Sequence, residues 1–247
     1  MTDAVQKRRA PILDGRLSAA LALAPDCRVF ADIGADHGKL SAILLLQDDS
    51  RRALVADISA AALSKAEALI SRMALADRAC CIVANGLDAM DRWQGEAIDT
   101  VFILGMGGDT VSGILERGAR RLHGAAVVLG AQTDLPLVRK TLCRIGYHIC
   151  RETVASESGR DYVLIRAEKG EAPEYTEAEI LLGPVLLRDL PAGWQGMLER
   201  RKKLLEQGVT AMRRTMLEKD AQRLGLFERE LGYIEQALTR LRKDEQP

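Results

Sequence analysis

Five short stretches of this 247-residue chain, each at the carboxyl end of an apolar run, hold the residues that can do chemistry. The first is Val29-Phe30-Ala31-Asp32-Ile33-Gly34-Ala35-Asp36-His37-Gly38. Gly34 and Gly38 let the backbone turn tightly and approach a ligand, while Asp32 makes the turn a poor phosphate cradle. A dinucleotide-binding turn needs G-x-G-x-x-G with a pyrophosphate on the helix N-terminus, whereas this one has G-x-x-x-G and two added carboxylates. Asp57 ends the second run, where a carboxylate can accept both hydroxyls of a ribose. Asn85-Gly86-Leu87-Asp88 ends the third: the Asn85 amide can bond an adenine edge and Leu87 can cover its face. Leu104-Gly105-Met106-Gly107-Gly108 ends the fourth and places three glycines where a group donor and acceptor would meet. Gln132-Thr133-Asp134 ends the fifth. Each has a plainer reading alone: Asp57 can cap a helix starting at Ser59, Asn85-Gly86 can be an ordinary turn, and His37 can be a polar residue at a helix start. Together they describe a nucleoside-cofactor site. S-adenosylmethionine, with an ammonium, a sulfonium and no phosphate, suits the acidic first turn.

The elements that must position these residues alternate. Residues 12 to 24 have helical spacing, through Ile12, Leu13, Leu17, Ala20, Leu21 and Ala24, and stop at Pro25. Val29 to Asp32 reads as a strand, Leu40 to Gln47 as a helix, Ala53 to Asp57 as a strand, and Ser59 to Ala76 as a helix capped by Ser59. Ala79 to Val83, Thr100 to Leu104 and Ala125 to Leu129 are near-continuous apolar runs, as in strands buried on both faces of a parallel sheet. Helices at about 109–120 and 134–145 follow the last two of these runs. Tyr147 to Val154 and Asp161 to Ala167 can pair as a hairpin across Ser156-Glu157-Ser158-Gly159-Arg160. Five parallel strands closed by such a hairpin describe an α/β fold, the Rossmann-like sheet of class I methyltransferases, though fold alone does not fix activity.

After the linker-like Gly170-Glu171-Ala172-Pro173 the chain is helical. Leu224, Phe227, Leu231, Ile234, Leu238 and Leu241 alternate spacings of 3 and 4, and Leu205, Val209, Met212 and Met216 do so in a shifted phase. The slip near 216–222 predicts two helices meeting as an antiparallel hairpin. The expected organisation is therefore a catalytic unit over 1–169 and a helical, coiled-coil unit over 170–247. Arg200-Arg201-Lys202-Lys203 and Arg213-Arg214 can touch RNA phosphates, with solvated coiled-coil flanks as the commoner use of such clusters.

Composition narrows the rest. With 47% hydrophobic residues the chain can bury a core, and 35 basic against 35 acidic residues leave no global basic field. The five cysteines, Cys27, Cys80, Cys81, Cys143 and Cys150, include no C-x-x-C and read as buried reduced thiols. His37, His123 and His148 are scattered, so no metal is expected. Lys7-Arg8-Arg9 ahead of an apolar stretch imitates an export signal, but Asp14 and Arg16 interrupt that stretch; cytoplasmic residence without membrane insertion is expected. No serine-hydrolase elbow or Walker loop is present. Aromatic residues are only 4%, so base stacking has few platforms, Tyr162 and Trp194 being the candidates and packing the commoner role for both.

On Ala31-Asp32-Ile33-Gly34-Ala35-Asp36-His37, Asn85-Gly86-Leu87, Gly105-Met106-Gly107-Gly108, the Gln132 turn, Glu157-Ser158-Gly159 and Leu182-Gly183-Pro184, the chain resembles the bacterial tRNA adenine-N1 methyltransferase family TrmK. The resemblance implies S-adenosylmethionine as cofactor, an adenine of the tRNA D-arm region (position 22) as target, and a Rossmann-like domain followed by a coiled coil. It implies cofactor contacts from Asp32, Gly34, His37, Asp57, Ile58, Asn85, Gly86, Leu87, Gly105, Met106 and Gly107. The resemblance would place the target base near Gly107 and Gln132, with Lys39 and Gly108 also on the substrate side; Gln132 is the candidate to orient the base, Asp36 first and Asp134 second are the candidate carboxylates near its exocyclic nitrogen, and Arg200 and Arg201 are the candidates to meet the RNA. Three departures stand out: Lys39-Leu40-Ser41 where the family has an aromatic residue then Leu-Pro, Gln132-Thr133-Asp134 where it has a Q-P-N-like turn, and Asn85 where it has an acid. Competing expectations are a methyltransferase for a small molecule or protein, or a non-catalytic homologue that binds RNA or a partner. The chain would be a monomer or a coiled-coil dimer.

Overall fold

A computed structural model describes residues 10–215 and 221–244. Lys7-Arg8-Arg9 and most of the turn expected near 216–222 lie outside the described residues. In chain order the elements are α1 (Gly15–Leu23), β1 (Val29–Ile33), α2 (Lys39–Gln47), β2 (Arg52–Asp57), α3 (Ala60–Arg72), β3 (Ala79–Val83), a 3-10 turn (Gly86–Arg92) and β4 (Thr100–Met106). There follow α4 (Gly108–Gly118), a second 3-10 turn (Ala119–Leu122), β5 (Ala126–Ala131), α5 (Leu135–Arg144), β6 (Tyr147–Glu157) and β7 (Arg160–Lys169). The remainder is α6 (Glu177–Leu182), α7 (Pro184–Asp189), α8 (Trp194–Thr215) and α9 (Ala221–Asp244).

The seven strands form one sheet in the order β3-β2-β1-β4-β5-β7-β6, with β1 to β5 parallel and β7 antiparallel between β5 and β6. This is the doubly wound sheet expected from the sequence. After β3 the chain returns to the other side of β1, so the order reverses between β1 and β4. In such sheets that reversal opens a crevice at the carboxyl ends of the strands. Ile33 is level with both Ala56 and Ile103, which brings the loops after β1, β2 and β4 to one rim.

Alternating strand side chains feed two cores. Phe30, Phe102 and Leu164 pack under α1, α2 and α3, where Phe30 and Phe102 meet edge to face at 6.0 Å between centroids. Ala31, Ile33, Ile103 and Ile165 pack under α4 and α5, and this second core runs on through Trp194, Leu198, Leu205, Ile234 and Leu238 of the helical tail. Trp194 is therefore a core residue, with 1% of its surface exposed, and not a stacking platform. Helices α8 and α9 run antiparallel, cross-linked by Arg201 to Glu230, Lys202 to Glu235 and Arg213 to Glu228.

Three local expectations change. β3 is an edge strand, so Cys80 and Val83 are exposed instead of being buried on both faces, and only Cys27 of the five cysteines is buried. Asp14 caps α1 by accepting from the Leu17 amide, starting that helix later than Ile12. The helix capped by Ser59 stops at Arg72 because Ala74 turns left-handed, at φ 58°.

Candidate functional site

Ile33 passes into a turn held by two amides of the first loop: Gly34 N–H and Ala35 N–H both donate to Ala56 O, at 2.7 and 3.1 Å. Gly34 has φ 75°, and a Cβ there would collide with Met106 Cε, so any other residue would strain the backbone and displace that side-chain tip. Next to it Asp36 is also left-handed, at φ 48°, and its amide donates to Asp57 Oδ2 at 3.2 Å. Asp57 Oδ1 accepts from Ser59 N–H at 2.8 Å, so both oxygens of this carboxylate are oriented by backbone at the end of β2. The plain reading of Asp57 as a helix-start residue and its reading as a ligand acceptor are thus both consistent with its place.

At the end of β4 the pairing with β5 shifts register at Gly105, whose φ is 81°. Beyond it, Gly107 caps α4 and Gly108 lies against Thr133 and Asp134, where a Cβ would collide with the Thr133 carbonyl oxygen. Gly108 N–H donates to Thr133 Oγ1 at 3.1 Å, and Gln132 N–H donates to Met106 O at 2.8 Å. The glycines therefore do two jobs: Gly105 opens the strand end, and Gly108 lets the β4 and β5 loops close on each other.

These loops enclose a cavity of about 630 Å³, within the size range of small-molecule sites. It gathers Asp32, Gly34, Asp36, His37, Lys39, Asp57, Ile58, Asn85, Gly86, Gly105, Met106 and Gln132 of the residues expected from the sequence. Leu87, Gly107, Gly108, Asp134, Arg200 and Arg201 do not line it. Leu87 is buried in the core beside Gly118, and the exposed apolar side chain at the mouth is Ile58. Asp134 caps α5, accepting from Leu137 N–H. Arg200 pairs with Asp161, its Nε at 2.7 Å from Oδ2, and Arg201 pairs with Glu230, its Nε at 2.7 Å from Oε1. Asp14 at the cap of α1, Arg16 and Leu17 of α1, and Thr110 and Ile114 of α4 line the cavity without having been expected there. The one available signal was that Arg16 stands a turn before Ala20 on the apolar stripe of α1, where a charge needs a reason.

Electrostatically the cavity is an acid-lined bowl. Asp32 is 4% exposed and accepts Ser41 Oγ–H at 2.6 Å. Ser41 is one of the family departures, and it supplies the buried acid with a donor that proline could not. Desolvation pushes the Asp32 carboxyl up to about 6, against the Ser41 hydrogen bonds that lower it. Asp36 and His37 sit at the exposed edge, Nε2 to Oδ2 3.5 Å. Three carboxylates offer acceptors for an ammonium and a ribose, while Ile58, Met106 and Ile114 offer apolar cover for a purine; this donor set fits S-adenosylmethionine. Among the described residues no group of three or more His, Cys, Asp or Glu is placed to hold a metal ion, and no helix is long and apolar enough to cross a membrane.

Comparison with known proteins bears on this site. The model of the family TrmK, tRNA (adenine(22)-N(1))-methyltransferase, matches residues 30–230. The tRNA (adenine(22)-N(1))-methyltransferase of Bacillus subtilis (strain 168) is 27% identical over 205 residues, covering 79% of this chain and 85% of that protein. The crystal structure of the B. subtilis m1A22 tRNA methyltransferase TrmK superposes with a TM-score of 0.80 at 22% identity, covering 92% of this chain and 99% of that one. The structure of M. capricolum TrmK in complex with S-adenosyl-homocysteine superposes with a TM-score of 0.78 at 22% identity, covering 92% and 98%. The two structural likenesses establish the shared fold.

Proposed function

Because this chain belongs to the TrmK family of tRNA (adenine(22)-N(1))-methyltransferases, we propose that it transfers a methyl group from S-adenosylmethionine to N1 of adenine 22 in tRNA. The observation that carries this reading is the cavity at the β1/β4 reversal, where Asp32, Asp36, Asp57, Asn85, Gly105 and Gln132 converge from five strand ends. S-adenosylmethionine supplies, when bound, an electrophilic methyl on a sulfonium. Asp57, oriented by two backbone amides, holds the ribose hydroxyls. Asn85, whose side chain makes no helix-capping bond, reads the adenine edge, and Ile58 takes the face-covering role first given to Leu87. Asp32, which lines the cavity floor, would receive the donor's ammonium.

The target N1 belongs to a Watson–Crick edge, so the base must be unpaired to reach the cavity. Catalysis is then chiefly positioning. Methylation leaves the base cationic until the exocyclic nitrogen loses a proton, and Asp36 is the carboxylate at the cavity edge suited to stabilise that charge and accept the proton. Its left-handed backbone is tied to Asp57, which keeps the base-side carboxylate in fixed relation to the ribose-side one. Gln132 orients the base from the β5 loop. Asp134, committed to capping α5, is set aside as a base-side group.

We assign residues 1–169 to the catalytic unit and 170–247 to RNA docking. On the tail, Arg200 and Arg201 hold internal ion pairs, whereas Lys203 and Arg214 are exposed and form no ion pair among the described residues. These latter cations are the better candidates for phosphate contact. With tRNA as its substrate, the chain would act in the cytoplasm. The test is methyl transfer from labelled S-adenosylmethionine to unmodified tRNA, with primer extension to find the mark. A stop at position 22 supports the reading; transfer to protein or small molecules but not tRNA overturns it.

A further inference from the structure

The β6–β7 hairpin closes in a tight turn at Ser158 and Gly159, both left-handed, at φ 50° and 77°. Residues opposite each other in such a ladder share one face of the sheet, and the next pair along takes the other face. Here the two faces carry different neighbours. Glu157, paired with Arg160, accepts from Gly15 N–H through Oε2 at 2.8 Å, so this pair stands on the side of α1. Tyr162, two residues on and on the same side, lies 5.9 Å from the guanidinium carbon of Arg16, a residue of the cavity wall. Ser156 and Asp161 form the next pair, on the opposite side, and bond each other at 2.6 Å. Asp161 also takes the Arg200 fork, at 2.7 Å from Nε and 2.6 Å from Nη2. The turn is therefore wedged between the helix at the cavity rim and the first turns of α8.

Arg160 is exposed there, about 7 Å along the strand from Tyr162, and forms no ion pair among the described residues. Nothing lies within 4 Å of where a Cβ on Gly159 would stand, so a partner can come close to the turn. On α8 the exposed residues Arg200, Lys203, Gln207, Thr210 and Arg214 recur at spacings of 3 and 4, which puts them on one face, about 21 Å long and free of acids. Arg200 holds the hairpin end of that face, so it begins beside the turn.

We propose that Arg160 binds the RNA backbone beside the target nucleotide, bridging the α8 face that docks the tRNA and the cavity that receives the base. A guanidinium fork matches a phosphodiester, whereas Asp32, Asp36 and Asp57 repel one from the cavity. The backbone is thus held at the rim while the base alone goes in. This inference rests on the tRNA reading.

The test is steady-state methylation of unmodified tRNA by the full chain at several salt concentrations, with S-adenosylhomocysteine binding by calorimetry alongside. Arg160→Gln should lower kcat/KM for tRNA on the order of three- to tenfold, chiefly through KM, and should make the slope of log kcat/KM against log salt shallower by about 0.7–0.9, the worth of one phosphate contact. Arg160→Lys should keep most of both, Arg160→Glu should lower kcat/KM further, and S-adenosylhomocysteine affinity should be unchanged throughout. Lys203→Gln should flatten the slope by a similar step, and the two steps should add in the double variant. A wild-type KM and salt slope in both Arg160→Gln and Arg160→Glu overturn the proposal, as does a loss of S-adenosylhomocysteine binding that matches the loss of methylation. If the wild-type chain methylates no tRNA, the tRNA reading itself falls and this inference with it.

Discussion

Asp32→Asn is expected to make the ligand-free protein more stable at neutral pH. The carboxyl is 4% exposed and its pKa is pushed from 3.8 to about 6, chiefly by desolvation and slightly by Asp57, against the Ser41 hydrogen bonds and the Arg16 charge. The folded chain therefore holds this proton more tightly than the unfolded chain. Stability from that proton is fully present below pH 3.8 and is lost as pH rises through 6, a total of about 3 kcal/mol. Between pH 5 and pH 8 the portion that titrates is about 1.4 kcal/mol, because pH 5 lies one unit below the folded pKa. Asparagine keeps an acceptor for Ser41 and carries no charge to desolvate. The variant's advantage in urea unfolding should thus grow by about 1.4 kcal/mol from pH 5 to pH 8, or about 3–6 °C in melting temperature for a chain of this size. Other titrating carboxylates cancel in the variant-minus-wild-type difference. A difference that stays flat across that range would refute the argument that Asp32 is ionised at a desolvation cost. The same variant should bind S-adenosylhomocysteine more weakly, a stability gained where function needs a charge.

Three further outcomes are expected. Asp36→Asn should lower the methylation rate by at least about tenfold with cofactor affinity within a few-fold, since a proton acceptor contributes on the order of 10²–10⁴; stopped-flow or single-turnover methylation checks it. Gly105→Ala forces a left-handed alanine, costing about 1–2 kcal/mol; urea unfolding should show that loss. Arg139→Met should be severe for the fold. It leaves Glu152, fully buried and bonded to Val185 N–H, without the Arg139 Nε partner at 2.9 Å, at a cost of about 3–5 kcal/mol in urea unfolding.

The strand ends were legible because a parallel strand buried on both faces is an apolar run, and whatever interrupts it at the carboxyl end stands out. That placed Asp32, Gly34, Asp57, Asn85, Gly105 and Gln132 at one rim before the topology was known. Residues whose placement depends on distant partners were not legible. Gly15, at the start of α1, donates to Glu157 across 142 residues of chain, a contact that nothing near it in the sequence signals. Leu87 looked available beside Asn85-Gly86, yet the 3-10 turn that follows rotates it into the core against α4. Gly107 and Gly108 read as ligand-facing, although the close approach they permit is to the β5 loop. Cys80 read as buried because composition cannot tell a central strand from an edge strand. Arg139 and Glu152 carry no local signal in the sequence; they form a buried pair that ties α5 and β6 to the carbonyls and amides around Gly183.

The most direct measurement of the central claim uses two tRNA transcripts that differ only at position 22, adenine in one and guanine in the other, each incubated with the full chain and labelled S-adenosylmethionine. One methyl per molecule on the adenine-22 transcript, mapped to N1 of that base by nuclease digestion and mass spectrometry, with none on the guanine-22 transcript, is the predicted result. Equal labelling of both transcripts, or of neither while the chain binds S-adenosylhomocysteine, would contradict it.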